Sequence, residues 1–229
     1  MREMTARVAA VRKLAVRKRH VKPVLTSRAY AKATADVSAP HAFRRSMRRR
    51  SIEGFLFPSR YDFGPSTTAS ELVGLQLEAF EREWGKVRLG YARARGLDAY
   101  EVLVVASMIE RETVVPAERA LVSAVIYNRL DADMPLAIDA TLRYGLGVPG
   151  TRPLTKADLA SRSPYNTRRY KGLPPTPIGN PGLASIQAAA HPAKVDYLYY
   201  VRKPDKLHHF FTADEDEFCR KAEEYGYSC

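Results

Sequence analysis

An apolar helical run from Leu103 onwards ends abruptly in two carboxylates, within Ala106-Ser107-Met108-Ile109-Glu110-Arg111-Glu112-Thr113. With Val102, Leu103, Val105, Ala106 and Ile109 apolar on nearly every side, this helix belongs in the centre of a fold and not on its surface. Asp98 supplies its N-cap. A carboxylate at the end of such a helix that faces a cleft is a candidate general acid. Residues two positions apart on a helix differ by about 200° of rotation. Glu110 and Glu112 are therefore expected on opposite sides, with only one of them in the cleft.

The remaining pattern reads as α+β. Ile52-Glu53-Gly54-Phe55-Leu56-Phe57-Pro58 suggests a short strand or extended segment entering the fold. Ser66, Thr67, Thr68 and Ser70 offer caps to a helix over Ala69–Trp84, with Leu72, Leu75, Leu77, Ala79 and Phe80 apolar. Pro116 fits the first turn of a following helix whose buried face is Leu121, Val122, Val125, Ile126 and Leu130, closed by Asn128-Arg129-Leu130. Beyond Asp131, prolines and glycines dominate and mark binding loops, with short helices at 154–159 and 182–190. A hairpin of 197–201 with 208–212, turning at Lys203-Pro204-Asp205, precedes a last amphipathic helix over 214–225. The expected architecture is a helical core with a small β-sheet and long loops.

Charge divides the chain. Residues 1–50 hold 15 Lys and Arg against 2 acids, leaving 22 bases against 23 acids in the remainder. The basic stretch, with runs such as Arg17-Lys18-Arg19-His20 and Arg48-Arg49-Arg50, lacks the continuous apolar segment of a secretory signal. Without hydrophobic periodicity it reads as a disordered leader, and 51–229 as the folded domain. No stretch approaches the ~18–20 apolar residues of a membrane span. Cys219 and Cys229, ten apart, can at most close a small terminal loop.

Ordered blocks from 52 to 218 resemble one family, the endolytic murein transglycosylases (MltG or YceG-like proteins). The opening motif Ile52 to Pro58 resembles L-E-G-Y-L-F-P, and Ala106 to Thr113 resembles A-S-[IL]-[VI]-E-[KR]-E. Glu118-Arg119 with Val125-Ile126-Tyr127-Asn128-Arg129-Leu130 matches E-R…V-[FY]-x-N-R-L. Asp139-Ala140-Thr141 with Tyr144-Gly145, Ser163-Pro164-Tyr165-Asn166-Thr167, and Gly172-Leu173-Pro174-Pro175-Thr176-Pro177-Ile178 through Ala189-Ala190-His191-Pro192 follow in family order. Ala137-Ile138 stands where many members have Gln-Thr, and Ala140 replaces a frequent Pro. Residues 1–50 resemble neither the membrane helix nor the LysM-like subdomain of the family, so the chain reads as a truncated member or one with an altered start.

The resemblance implies cleavage between N-acetylmuramic acid and N-acetylglucosamine in nascent glycan strands, leaving 1,6-anhydro ends. One carboxyl serves both steps, as acid to the leaving oxygen and then as base to the C6 hydroxyl. It takes the place of Glu110, with Leu103, Ala106, Ile109 and Val114 as the apolar wall expected to keep it protonated. Glu112 is expected to turn away, to a base or to local backbone. Tyr165 and Asn166 are candidates for binding the N-acetyl sugars, and Asp139 either contacts a sugar, orients Tyr144 or caps a turn. His191 reads as structural, and the adjacent His208 and His209 face opposite sides of a strand, so no metal and no cofactor are expected.

Implied partners are peptidoglycan glycan strands and, more loosely, penicillin-binding proteins and the cell-wall elongation machinery, at the outer face of the cytoplasmic membrane. Two alternatives stand beside the enzyme. One is a non-catalytic peptidoglycan-binding or scaffolding protein. The other is a nucleic-acid-binding protein driven by the basic leader, a partner the balanced charge of 51–229 gives no reason to expect.

Overall fold

The computed structural model describes residues 2–19, 24–47, 51–62 and 64–229. Ten α-helices, two single-turn 3-10 helices (His41–Phe43 and Pro116–Glu118) and one two-stranded sheet are formed among them: α1 (Arg2–Arg19), α2 (Ser27–Asp36), α3 (Ala69–Trp84), α4 (Gly90–Ala94), α5 (Ala99–Glu112), α6 (Arg119–Asp131), α7 (Asp139–Leu146), α8 (Lys156–Leu159), α9 (Leu183–Ala190), β1 (Tyr199–Arg202), β2 (His209–Thr212) and α10 (Glu215–Glu224). The fold is α+β.

Helix α5 is the axis of the molecule. Asp98 and Glu101 form a reciprocal capping box that satisfies two of its first amides, and every side chain from Val102 to Ile109 is buried. A helix buried all round must be enclosed, and α9, α6 and α7 pack around it. α3 begins with a second capping box, Thr68 with Glu71, and brings Phe80 and Trp84 to an aromatic cluster with Phe43, Phe55 and Tyr100. Ring centroids in that cluster lie as close as 4.9 Å, between Phe43 and Trp84 in an edge-to-face pair.

The structure departs from the sequence expectation at both ends of this core. Residues 24–47 are not a loose leader: Leu25, Tyr30 and Phe43 are buried, and the Tyr30 phenol donates to Oε1 of Gln76 across 2.6 Å. Burial of that phenol pushes its pKa up to about 12. Thr26 caps α2, which packs against α1 on one side and α3 on the other. Three apolar side chains without periodicity gain their order from α3 and from the 52–57 segment. His20 and residues 48–50 of the two basic runs lie outside the described residues, as do the side chains of 17–19.

The 52–57 segment is a buried turn and not a strand. Gly54 adopts φ +96°, and a Cβ there would lie 2.7 Å from Cγ of Pro177, so glycine is needed for both backbone and space. The hairpin appears as expected, antiparallel with Tyr199 opposite Thr212 and Arg202 opposite His209, and α10 packs on it. Asn128 and Arg129 do more than end a helix. Asn128 Nδ2 donates to the carbonyls of Val195 and Tyr197, and Arg129 to those of Leu198, Pro135 and Leu136, which ties both long loops to α6. Cys219 and Cys229 are joined by a disulfide.

Candidate active site

The C-terminal end of α5 projects into a cleft of about 1350 Å³ whose walls include Glu53, Pro58, Glu110, Arg111, Glu112, Asp139, Tyr144, Tyr165, Asn180, Tyr200 and His209. That is larger than the ~300–1,000 Å³ typical of sites for compact small ligands. A polymer chain fits such a groove better.

Glu110 is addressed by polar groups. Its Oε2 accepts the backbone N–H of Gly182 at 3.1 Å and the Ser185 hydroxyl at 2.7 Å, both from the first turn of α9. Arg119 Nε donates to Ser185 Oγ at 3.2 Å from the start of α6. The apolar wall expected around this carboxyl does not exist. Val114 is 69% exposed, and Leu103, Ala106 and Ile109 are buried in the core without lining the cleft.

Glu112 corrects a second expectation: it lines the same cleft, because the cleft wraps round the end of α5 and receives side chains from both of its sides. The Tyr200 hydroxyl donates to its Oε2 at 3.0 Å. Burial raises the Glu112 carboxyl above its ordinary value, the Asp139 charge adds to this, and the Tyr200 hydrogen bond works against it. Burial and the neighbouring Glu112 carboxylate likewise raise Tyr200 well above the usual phenol range.

Behind this pair, Glu118 accepts from the His209 backbone N–H at 2.9 Å and lies 2.7 Å from its Nδ1, with Thr113 Oγ1 at 3.3 Å. Burial works against the Glu118 charge, but the hydrogen bonds from His209 outweigh it and hold the carboxyl below its ordinary value. His208 pairs instead with Asp205 on the exposed hairpin turn, so the two histidines part as expected of strand neighbours.

Glu53 and Asn180 join the opposite wall. Asn180 Nδ2 donates to Glu53 Oε1 at 3.1 Å, and the Tyr144 phenol to Glu53 Oε2 at 3.3 Å. Tyr144 packs against Tyr165, ring centroids 5.2 Å apart. The Tyr165 hydroxyl shares a 2.8 Å hydrogen bond with Thr176. Asp139 opens α7, lines the cleft and is paired with Arg168 Nε at 2.8 Å. It neither caps a turn nor holds Tyr144.

Asn166 is not available to a sugar. It is fully buried, its Nδ2 donating to the carbonyls of Leu159 and Ser161 and its Oδ1 accepting from the Arg168 N–H. An amide with so many backbone partners shapes its own loop, and that loop presents Tyr165. Sequence reasoning missed Ser185, Arg119, Glu53 and Asn180. The family-like blocks holding Glu53 and Arg119 were the available signal, while Ser185 is one serine in an alanine-rich helix.

The fold and cleft define a class: a helical α+β protein in which the end of a buried helix delivers carboxyl groups into an open, polymer-sized groove. The model of the YceG-like family matches residues 1–224, and the chain belongs to that family. It is 36% identical over 156 residues to the endolytic murein transglycosylase of Bacillus subtilis (strain 168), which covers 68% of this chain and 43% of that protein. With the protein of the same description from Streptococcus pneumoniae (strain ATCC BAA-255 / R6) it shares 31% over 183 residues, 77% of this chain and 33% of the relative. The chain thus spans between a third and under half the length of these relatives. A crystal structure of a yceG-like protein from Listeria monocytogenes superposes with a TM-score of 0.66 at 31% identity, covering 82% of this chain and 61% of that one.

Proposed function

We propose that the chain is an endolytic peptidoglycan lytic transglycosylase with Glu110 as its acid and base. The observation that carries this is the placement of Glu110 at the end of α5, on the wall of the large cleft and held by α9. Relatives named endolytic murein transglycosylase support the substrate.

In the first step the protonated carboxyl gives its proton to the glycosidic oxygen between N-acetylmuramic acid and N-acetylglucosamine while the anomeric C–O bond breaks. The ionised carboxylate then removes the proton of the muramic C6 hydroxyl as that oxygen bonds to the anomeric carbon. No water is consumed, and no second carboxylate is required to activate one. Tyr165 offers an apolar face and Asp139 a polar group along the groove for the sugars. The same reading puts the work on nascent strands at the outer face of the cytoplasmic membrane, beside the glycan polymerases. Among the described residues no helix is long and apolar enough to cross a membrane.

The test is release of 1,6-anhydromuropeptides from murein by the purified chain. Glu110→Gln is expected to abolish release while leaving murein binding in place. Undiminished release by that variant would sink the assignment, and binding without release by the parent chain would favour a scaffold.

A further inference from the structure

We propose that Ser185, held by Arg119, fixes which oxygen of Glu110 carries the catalytic proton: Oε2 stays a hydrogen-bond acceptor throughout the cycle and the proton travels by Oε1. This rests on, and deepens, the assignment of Glu110 as acid and base.

The inference follows from what each group is able to donate. A guanidinium N–H and a backbone N–H only donate, whereas a hydroxyl has one proton and two lone pairs. Arg119 Nε, 3.2 Å from Ser185 Oγ, therefore occupies a lone pair of that oxygen. The single hydroxyl proton is left to point at Glu110 Oε2, 2.7 Å away. Gly182 N–H, at 3.1 Å, aims at the same oxygen. Ser185 is fully buried, so no solvent competes for the hydroxyl.

A proton on Oε2 would have to face one donor that cannot reverse and a hydroxyl that could accept it only by turning its own proton away from Glu110, where the contacts of Ser185 offer no other acceptor. Placing it there would set that proton against the Gly182 N–H and leave the proton of the buried Ser185 hydroxyl without an acceptor, an outcome more costly than leaving it on Oε1. The three groups come from the ends of three different helices, α5, α6 and α9, and such rigid elements hold a geometry better than loops do.

The proton balance is then complete at one atom. Oε1–H passes its proton to the glycosidic oxygen as that oxygen takes the electron pair of the breaking anomeric bond. Oε1 next accepts the proton of the C6 hydroxyl as the C6 oxygen forms the new bond to the anomeric carbon. Glu110 ends as it began. Ser185 and Arg119 touch no substrate and act as positioning residues.

The experiment is steady-state release of 1,6-anhydro products from murein glycan strands by the 229-residue chain and five variants. Ser185→Ala is expected to lower kcat by roughly 10–100-fold with KM within about twofold, the pattern of a lost transition-state interaction. Ser185→Thr, which keeps the hydroxyl, restores most of kcat. Arg119→Met lowers kcat by less, and in combination with Ser185→Ala adds nothing to the loss, because both act through one hydroxyl.

Ser185→Ala or Arg119→Met with kcat unchanged, or a loss that Ser185→Thr fails to rescue, overturns the inference. Thermal unfolding confirms that each variant is folded, and Arg119→Met decides alone if Ser185→Ala is not. Glu110→Gln in the same assay separates the two levels. Its continued activity, or an inactive parent chain, overturns the catalytic assignment and this inference together. Its inactivity beside an unaffected Ser185→Ala overturns this inference only.

Discussion

Asn180 and Glu53, 127 residues apart in sequence, are joined by a 3.1 Å hydrogen bond in one wall of the cleft, while Asn180 Oδ1 accepts from the N–H groups of both Gly54 and Leu56. One amide thus uses its donor and its acceptor to lock the turn at 52–57 to the loop that leads into α9. That loop carries Gly182, which donates to Glu110.

Asn180→Ala is therefore expected to strand two backbone N–H groups and remove one donor to Glu53. A buried unsatisfied polar group costs about 1–3 kcal/mol, which for a chain of this size lowers Tm by roughly 2–12 °C. Calorimetry checks this. A Tm equal to that of the parent would show that water or another group replaces the amide without loss.

Glu112→Gln is expected to flatten the dependence of stability on pH. Burial first, then the Asp139 charge, raise the folded-state carboxyl above its ordinary value. The stabilisation belonging to the protonated form is thus fully present below the unfolded value of about 4.3 and is lost as pH rises through the folded one. Glutamine keeps an acceptor for Tyr200 but has no charge to develop. Urea midpoints across pH 4 to 8 should fall away in the parent relative to the variant. Parallel curves for the two proteins would contradict it.

Gly145→Ala tests the wall that holds Tyr165. A Cβ at position 145 would lie 2.6 Å from both Ser163 Oγ and Tyr165 Cβ, within the 163–167 loop. Overpacking of this kind costs roughly 1–3 kcal/mol, and here the part that gives way lines the cleft. The expected result is a raised KM for murein together with a lowered Tm. A KM unchanged from the parent would remove Tyr165 from the substrate surface.

Glu118→Gln addresses the buried contact between α6 and the hairpin. Burial disfavours the Glu118 charge, yet the His209 hydrogen bonds win and hold the carboxyl below its ordinary value. Its contribution is present above the unfolded value of about 4.3 and disappears as pH falls through the lowered folded value. The variant should lose about 1.5–3 kcal/mol at pH 7, the worth of a hydrogen bond to a charged group. The gap between variant and parent should close toward pH 3 in denaturant titrations, and a gap that widens there would reverse the sign.

Local signals in the chain were legible where their causes are local. Thr68 with Glu71 and Asp98 with Glu101 announce two helix starts, and the hairpin and α10 lie where alternation and amphipathicity put them. Helix α7 was hidden because Ile138 in front of it offers no side-chain cap and Gly145 within it discourages a helix, until the contact with Tyr165 explains the glycine. α2 has too few apolar residues to order by itself and gains its place through Tyr30 and Gln76. Asn166 looked like a sugar-binding amide because its side chain suits that role, and nothing near it in sequence shows its burial.

By itself the sequence determined the class of fold, the central buried helix, the family resemblance and the presence of carboxyls at that helix's end. Periodicity, capping and ordered motifs are properties of residues a few positions apart, and a chain displays them before it folds. Only the tertiary structure decided that Glu112 shares the cleft, that Glu110 meets donors where an apolar wall was expected, and that the Ser185 hydroxyl points at it. The direction of a hydroxyl and the charge of a buried carboxyl depend on every group packed around them. Ser185 lies 75 residues from Glu110, and Arg119 lies 66 residues from Ser185. Packing alone brings them within hydrogen-bond reach.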